Sequence, residues 1–458
     1  MEQQSENSFF RTNLSTIDGE GKRKWVYSKK PKGKLYNYRR LIGYSLLLFF
    51  LLAPHMRIND HAFILINIFE RKFILFGTIF WPQDTYIMAI AMLSLMVFFI
   101  LFTVIFGRIW CGWLCPQTLF LELVFRPIEF LILGSARKQR ILKEQSWTIE
   151  KIMKIGLTKI LFIGFSFLII NTLFAWVIGF SDLLKMYSEP FSQNTSGWLS
   201  MIFLSGFFFF IYNWFREQAC TIMCPYGRLQ GVLLDNNSIV ISYDYIRGEP
   251  RDSKVAGDCI NCNSCVDVCP TGIDIRNGTQ LECINCSACV DACNGVMKRI
   301  NKPKGLIRYA SENQITHKQP FRFNIRIGAY SLLLLLLLGF FSYLLTGRQP
   351  IESTILRTPG LLSQRVGSDS ISNLYNLKIV NKTFDEFPVQ LRLLSHSGKI
   401  KMIKQKEVVP KGGLMEDVFF VILSKNSLKQ PNENVTIGVF SKENKIEEIN
   451  LNFVSKAF

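Results

Sequence analysis

Apolar residues gather in five long runs, near 40–57, 86–106, 157–180, 198–214 and 325–346. A helix crosses a bilayer core with about 20 apolar residues, so each run predicts a membrane span. The fifth, "IGAYSLLLLLLLGFFSYLL", is uninterrupted, and the fourth is short enough to suit a tilted span. After the fifth run the pattern changes to period two. "NLYNLKIVNKT", "PVQLRLLSH", "MEDVFFVILS", "NVTIGVFSK" and "EEINLNFVS" alternate between Gly, Pro, Asn and Lys turns, as strands do. Some 110 residues of this kind (roughly) predict a small β-sandwich.

Charge orients the spans. Lys and Arg number ten in residues 1–40, three between the first two runs, eight in 107–156, one in 181–197 and thirteen in 215–324. The basic segments mark the cytoplasmic side, which places the N-terminus there and the C-terminal domain outside. The net charge of +18 therefore serves the membrane and needs no nucleic-acid partner. Residues 1–38 are polar and then basic, unlike a secretory signal, and predict a flexible cytoplasmic tail. All 12 cysteines fall in the two segments assigned to the cytoplasm, a reducing compartment that suits thiolate ligands.

Eight of those cysteines form two copies of one pattern. Residues 259–270 read "CINCNSCVDVCP" and 283–294 read "CINCSACVDACN". Each is C-x2-C-x2-C-x3-C, the bacterial ferredoxin spacing, in which the fourth cysteine serves the other cluster. Cys259, Cys262, Cys265 and Cys293 are thus expected to hold one [4Fe-4S] cluster, and Cys283, Cys286, Cys289 and Cys269 the second. Zinc fits poorly, because it takes C-x2-C pairs separated by a long gap. Asn294 stands where Pro270 stands in the first copy, which alters a turn and removes no ligand. Two such clusters carry electrons singly.

The other four cysteines lie in "WCGWLCPQ" and "ACTIMCPYG", each just after an apolar run. Within a continuing helix Cys111 and Cys115, like Cys220 and Cys224, would share one face at about 6 Å. Pro116 and Pro225 would end or kink that helix. The repeat reads as a duplicated hairpin whose four soft thiols converge at the membrane edge. Such thiols suit Cu(I), an iron–sulfur group or zinc, and copper is the tentative metal here. Arg108 and Arg216 are expected to lower the thiol pKa values. The plain alternative is four buried small side chains capping helices.

Lesser candidates have bland readings beside them. Met88, Met92 and Met96 form a stripe that could pass Cu(I) or simply face lipid. His55, Met56 and His61 could catch copper or merely sit at the interface. Asp84, in "FWPQD", could be functional or a helix N-terminal acid. No span has a central histidine, which argues against haem.

The chain resembles the cytochrome cbb3 oxidase accessory ferredoxins, the family called CcoG, FixG or RdxA. The resemblance is carried by "FWPQD", "GRIWCGWLCPQT", "CTIMCPYGRLQGVLLD", "YDYIRGEPR", the eight-cysteine stretch, "GLIRY" and "NLYNLKIVNK". It implies a bacterial inner-membrane protein with two [4Fe-4S] clusters, an immunoglobulin-like tail and a role in maturing cbb3-type oxidase. It further implies a cupric reductase that makes Cu(I), with Cys111, Cys115, Cys220 and Cys224 as catalytic and copper-binding residues. The implied partners are the oxidase, its copper-assembly factors, and a cytoplasmic or quinol electron donor. "MKIGLTKILF" offers no histidine ligand before the third run.

The expected architecture is a polytopic α-helical membrane protein with about five spans, a cytoplasmic ferredoxin insert and a β-sandwich. Its parts are the tail (1–38), a four-helix region (39–240), the 2[4Fe-4S] domain (241–324), a fifth helix (325–346) and a periplasmic immunoglobulin-like domain (347–458). Two other functions fit the same residues: a quinol-linked polyferredoxin subunit and a non-enzymatic assembly scaffold.

Overall fold

A computed structural model describes residues 15–455 apart from 18–19, 59–60, 69–70, 76, 252–256, 359–362, 368, 404–407, 429 and 442–443. It forms two compact units. One holds the described residues up to Met56 together with Ala89–Phe340; the other holds Arg57–Met88 and Phe341–Phe458.

Four helical segments among the described residues are long and apolar enough to cross a membrane: Pro82–Phe106, Ile149–Ile178, Thr195–Phe215 and Ile325–Thr346. The expectation was five. The first helix, Lys34–Leu52, carries Arg39 and Arg40 in its second turn. Its apolar part is about a dozen residues, roughly 18 Å of helix, against a hydrocarbon core of roughly 30 Å. The Ile149–Ile178 helix starts eight residues before the expected 157, because Thr148 caps it by accepting from the Lys151 N–H. It ends at Gly179, whose φ of 92° breaks the helix. In helix Ile325–Thr346 only Ile327 is buried, leaving the Leu-rich surface outward.

The described part of the N-terminal tail differs from the flexible segment expected. Ser15 Oγ donates to the Thr271 carbonyl at 2.8 Å, and the Lys29 N–H donates to the Asp267 carbonyl at 2.7 Å. Arg126 donates to Ser28 Oγ at 2.8 Å, and the Arg23 guanidinium lies 4.2 Å from the Trp25 ring. Lys29, one of the basic residues of the tail, also ties it to the cysteine-rich domain through Asp267 at 2.6 Å.

That domain is closed by antiparallel strands Val240–Tyr243 and Ile307–Ala310. Helices Ser264–Asp267 and Ala288–Arg299 carry the third cysteine of each motif copy, Cys265 and Cys289. Its core joins Ile241, Ile273, Ile275 and Leu306 to the cysteines themselves.

The second unit is a two-sheet sandwich. One sheet runs Gly398–Met402, Leu414–Ser424, Ser370–Asn381, Ile351–Arg357, with Gln364–Val366 also paired to Ser370–Asn381. The other is Gln390–Leu393, Asn432–Ser441, Asn444–Val454. Alternate residues such as Tyr375, Phe419, Val421, Ile437 and Phe453 fill the core between them. The same unit contains a three-stranded sheet, Ile64–Asn67, Lys72–Leu75 and Thr78–Phe80, in a stretch read above only as a loop. Asp84 is fully buried in this unit. It accepts from Lys382 Nζ at 2.6 Å, Arg348 Nη2 at 2.6 Å and the Trp81 N–H at 3.1 Å. The acid of "FWPQD" is therefore an ion-pair anchor and more than a helix-dipole partner.

Candidate functional site

The eight motif cysteines line two neighbouring cavities. Cys259, Cys262, Cys265 and Cys293 border one. Cys269, Cys283, Cys286 and Cys289 border the other, which Cys265 also touches. Asn261, Asn263, Asn285 and Ser287 all have φ between 51° and 62°. These left-handed residues between the ligands turn successive backbone N–H groups inward, as in an anion-binding nest. The Asn285 and Ala288 N–H groups act on Cys283 and Cys286, and that of Ile307 on Cys293. Burial pushes the free thiols of Cys265 and Cys283 up to about 12, and those of Cys286 and Cys293 to about 11. Thiolates there need a cationic occupant, so binding iron releases protons. The donor set and the nests fit a cubane cluster in each cavity.

The two C-x3-C-P motifs share one local geometry, and it is not the continuous helix expected. The Cys115 N–H bonds to the Trp110 carbonyl at 2.9 Å and the Cys224 N–H to the Ala219 carbonyl at 3.0 Å. Both span five residues, the wide π-type turn that recurs at functional sites. Cys115 and Cys224 then adopt extended ψ values of 125° and 111°, and each caps the next helix, which opens with its proline. Proline thus starts a helix as well as ending a turn. The Thr118 and Gln117 N–H groups of that new helix face the Cys115 sulfur. Four residues before each first cysteine stands a left-handed residue, Gly107 at φ 56° and Arg216 at φ 48°.

The four thiols are electrostatic neighbours: Cys220 feels Cys115, Cys111 and Cys224, and Cys111 feels Cys115 and Cys224. At Cys111, Cys115 and Cys220 the shift is upward, opposite to the lowering expected. Burial, reinforced by the other thiolates, pushes Cys111 up to about 11 and Cys220 to about 12, outweighing Arg108 at Cys111. Arg216 is engaged elsewhere. It donates to both Glu129 carboxylate oxygens, at 2.6 and 2.9 Å, and its guanidinium lies 5.2 Å from the Trp25 ring. Cys111 Sγ donates to Gln230 Oε1 at 3.4 Å. Among the described residues, no three His, Cys, Asp or Glu side chains lie close enough to share one metal ion.

This thiol site abuts the second cluster cavity. A Cβ on Gly112 would overlap the Ile284 carbonyl and lie 3.0 Å from the Cys286 nitrogen. The Trp113 indole N–H bonds to the Asn285 carbonyl at 3.2 Å. Arg39 Nε donates to the Gly112 carbonyl at 2.6 Å. Arg39 and Asn285 were not singled out in the sequence. Asn285, inside "CINCSAC", could have been; Arg39 looked like one more positive-inside charge.

The remaining candidates disperse. Met92 and Met96 are mostly exposed, as lipid-facing side chains would be. His55 packs edge-on against Phe180 with centroids 4.2 Å apart, Met56 is exposed, and His61 stacks on Phe384 at 4.1 Å.

Thiols arranged for two cubanes, with long apolar helices in the same chain, define a membrane-associated iron–sulfur electron-transfer protein. Residues 215–312 match the family described as a 4Fe-4S dicluster domain, and 88–138 one described as a 4Fe-4S binding domain. Residues 341–456 match the immunoglobulin-like fold at the C-terminal of FixG. The chain is 33% identical to Protein RdxA of Cereibacter sphaeroides over 373 residues, 76% of this chain and 78% of that protein. It is 32% identical to Protein RdxB of the same organism over 409 residues, 82% and 83% of the two. It is 34% identical to Nitrogen fixation protein FixG of Rhizobium meliloti over 311 residues, 63% of this chain and 58% of that protein. A solved FixG-related protein from Vibrio parahaemolyticus aligns over 24% of this chain and 99% of its own, at 20% identity and a TM-score of 0.20. The chain belongs to the FixG family of ferredoxin-like proteins, with RdxA and RdxB.

Proposed function

We propose that this protein delivers single electrons to its four-thiol site and there reduces Cu(II) to Cu(I), supplying copper for assembly of a cbb3-type oxidase. The observation that carries the reading is the close seating of the thiol site on the second cluster cavity, through Gly112 and Trp113. When bound, the iron–sulfur groups supply one-electron storage. The chain's own part is to hold soft sulfur ligands in a buried, low-dielectric pocket. Thiolate ligands favour Cu(I) over the harder Cu(II), so one-electron uptake by the bound ion is stabilised. A pair of thiolates is enough for Cu(I), which removes the need for three ligands at single-ion distance. The thiols start protonated, so copper entry displaces protons.

The cysteine-rich domain lies on the cytoplasmic side of a bacterial inner membrane in this reading, and the β unit on the periplasmic side. The donor is a cytoplasmic one-electron carrier or a quinol.

The test is anaerobic Cu(II) reduction by dithionite-reduced protein. Cys111→Ser combined with Cys224→Ser should abolish it while cluster absorbance persists. Undiminished copper reduction would refute the site. Quinol-dependent bleaching in membranes without copper would favour a quinol-linked carrier instead.

A further inference from the structure

The buried charges of the first unit do not cancel evenly. Glu122, Glu129 and Glu217 face Arg126, Arg216 and Arg23. Arg126 lies 3.0 Å from Glu122, Arg216 lies 2.6 Å from Glu129, and Arg23 lies 3.4 Å from Glu217. Buried Asp244 pairs with Arg308, and buried Glu282 accepts from the Ser15 N–H. Arg39 and Arg108 have no carboxylate partner among the described residues. Arg39 is 1% exposed, and both its Nη groups are buried without a hydrogen-bond partner. Arg108 is 7% exposed, its Nε is likewise unpartnered, and neither residue has an ion pair among the described residues. A buried charge with no counter-charge costs several kcal/mol. Something negative must therefore face these two groups in the working protein.

Their neighbours say what it is. Arg39 Nε holds the Gly112 carbonyl at 2.6 Å, and a Cβ on Gly112 would lie 3.0 Å from the Cys286 nitrogen. Arg108 follows Gly107, where a Cβ would lie 3.3 Å from Asn285 Nδ2, between Cys283 and Cys286. The first cavity is different. Arg276, beside Cys265, is paired with Asp274 at 2.6 Å. Arg247, which acts on Cys293, is ion-paired with Asp258. The motif copies match in sequence, yet the guanidiniums beside the first cavity are ion-paired and the two beside the second are not among the described residues.

We propose that Arg39 and Arg108 are the counter-charges of the iron–sulfur group held by Cys269, Cys283, Cys286 and Cys289, and that they raise its reduction potential above that of the other group. An added electron is one unit of negative charge, so fixed cations beside one cavity decide where it rests. The one electron given up at the first cavity is gained at the second, beside the Cys111 and Cys115 thiols. This inference rests on the iron–sulfur reading and is independent of what the four thiols reduce.

The test uses the full-length, anaerobically reconstituted protein in detergent, titrated with dithionite and followed by EPR. Cys262→Ser marks the first centre by its altered signal. Arg39→Gln and Arg108→Gln should each disfavour reduction of the unmarked centre about tenfold, a fall of about 59 mV for one electron. The marked centre should move much less. Arg39→Lys and Arg108→Lys, which keep the charge, should restore most of the potential. Equal shifts at both centres, no shift, or a larger shift at the marked centre overturns the proposal. If the Gln variants lose iron, the Lys variants must keep both iron and potential; loss in both overturns a role through charge. Wild-type protein with no [4Fe-4S] signal would overturn the underlying reading instead.

Discussion

Gly112→Ala is the sharpest probe of the seam between the thiol site and the second cluster cavity. The added methyl would overlap the Ile284 carbonyl and stand 3.0 Å from the Cys286 nitrogen and 3.1 Å from the Asn285 carbonyl carbon. Comfortable carbon contacts are about 3.5–4.0 Å, so the turn and the ligand loop must part by something on the order of 1 Å. Neither side yields easily. The contacting atoms are backbone, and the Gly112 carbonyl is gripped by Arg39 Nε at 2.6 Å. Forced overpacking of this kind costs about 1–3 kcal/mol. The midpoint of heat-induced loss of cluster absorbance should fall by a few degrees, roughly 2–4 °C per kcal/mol for a large domain. In stopped-flow experiments, Cu(II) should reoxidise the reduced variant more slowly than wild type at equal iron content. A variant with wild-type midpoint and reoxidation rate would refute the close seating.

Other outcomes follow from the same structure. Asp84→Asn removes the carboxylate shared by Lys382 and Arg348, and breaking a buried pair costs about 3–5 kcal/mol. Limited proteolysis should open the β unit while cluster absorbance stays unchanged; unaltered resistance would count against the anchor. The Cys111 thiol, raised to about 11 from an ordinary 9.0, has a thiolate fraction about a hundredfold lower near neutral pH. Its alkylation by iodoacetamide, read by mass spectrometry, should be correspondingly slow at pH 8 and climb as pH rises towards 11. Fast labelling at pH 7.5 would show the thiol to be solvated.

Much of this was legible because its signals are local. C-x2-C-x2-C-x3-C carries its own loop geometry, and period-two runs such as "MEDVFFVILS" became the strand Leu414–Ser424. The duplicated C-x3-C-P marked the thiol site, but helical spacing misjudged its turn. A proline after the second cysteine fits the first turn of a new helix as well as the end of an old one. The roles of Arg39, Arg108 and Asp84 were hidden for another reason. Each depends on which partners tertiary folding supplies or withholds, and a positive charge near a membrane helix looks the same in sequence whether paired, solvated or buried alone. The strands within 64–80 are short and nearly continuously apolar, as in "ILINIF" and "KFILFGTIF", so no period-two pattern marks them.

The left-handed residue before each thiol pair has a consequence for how the site comes into being. Gly107 takes that conformation freely, but Arg216 takes it at a cost of about 1–3 kcal/mol. Glu129, on the helix Arg126–Ile132 downstream of the first pair, grips Arg216 through both carboxylate oxygens. The turn that presents Cys220 therefore borrows its shape from the half of the chain that carries Cys111 and Cys115. The dependence runs one way: Gly107 needs no such grip, so the Cys111–Cys115 turn forms without the second pair and the Cys220–Cys224 turn is completed against it.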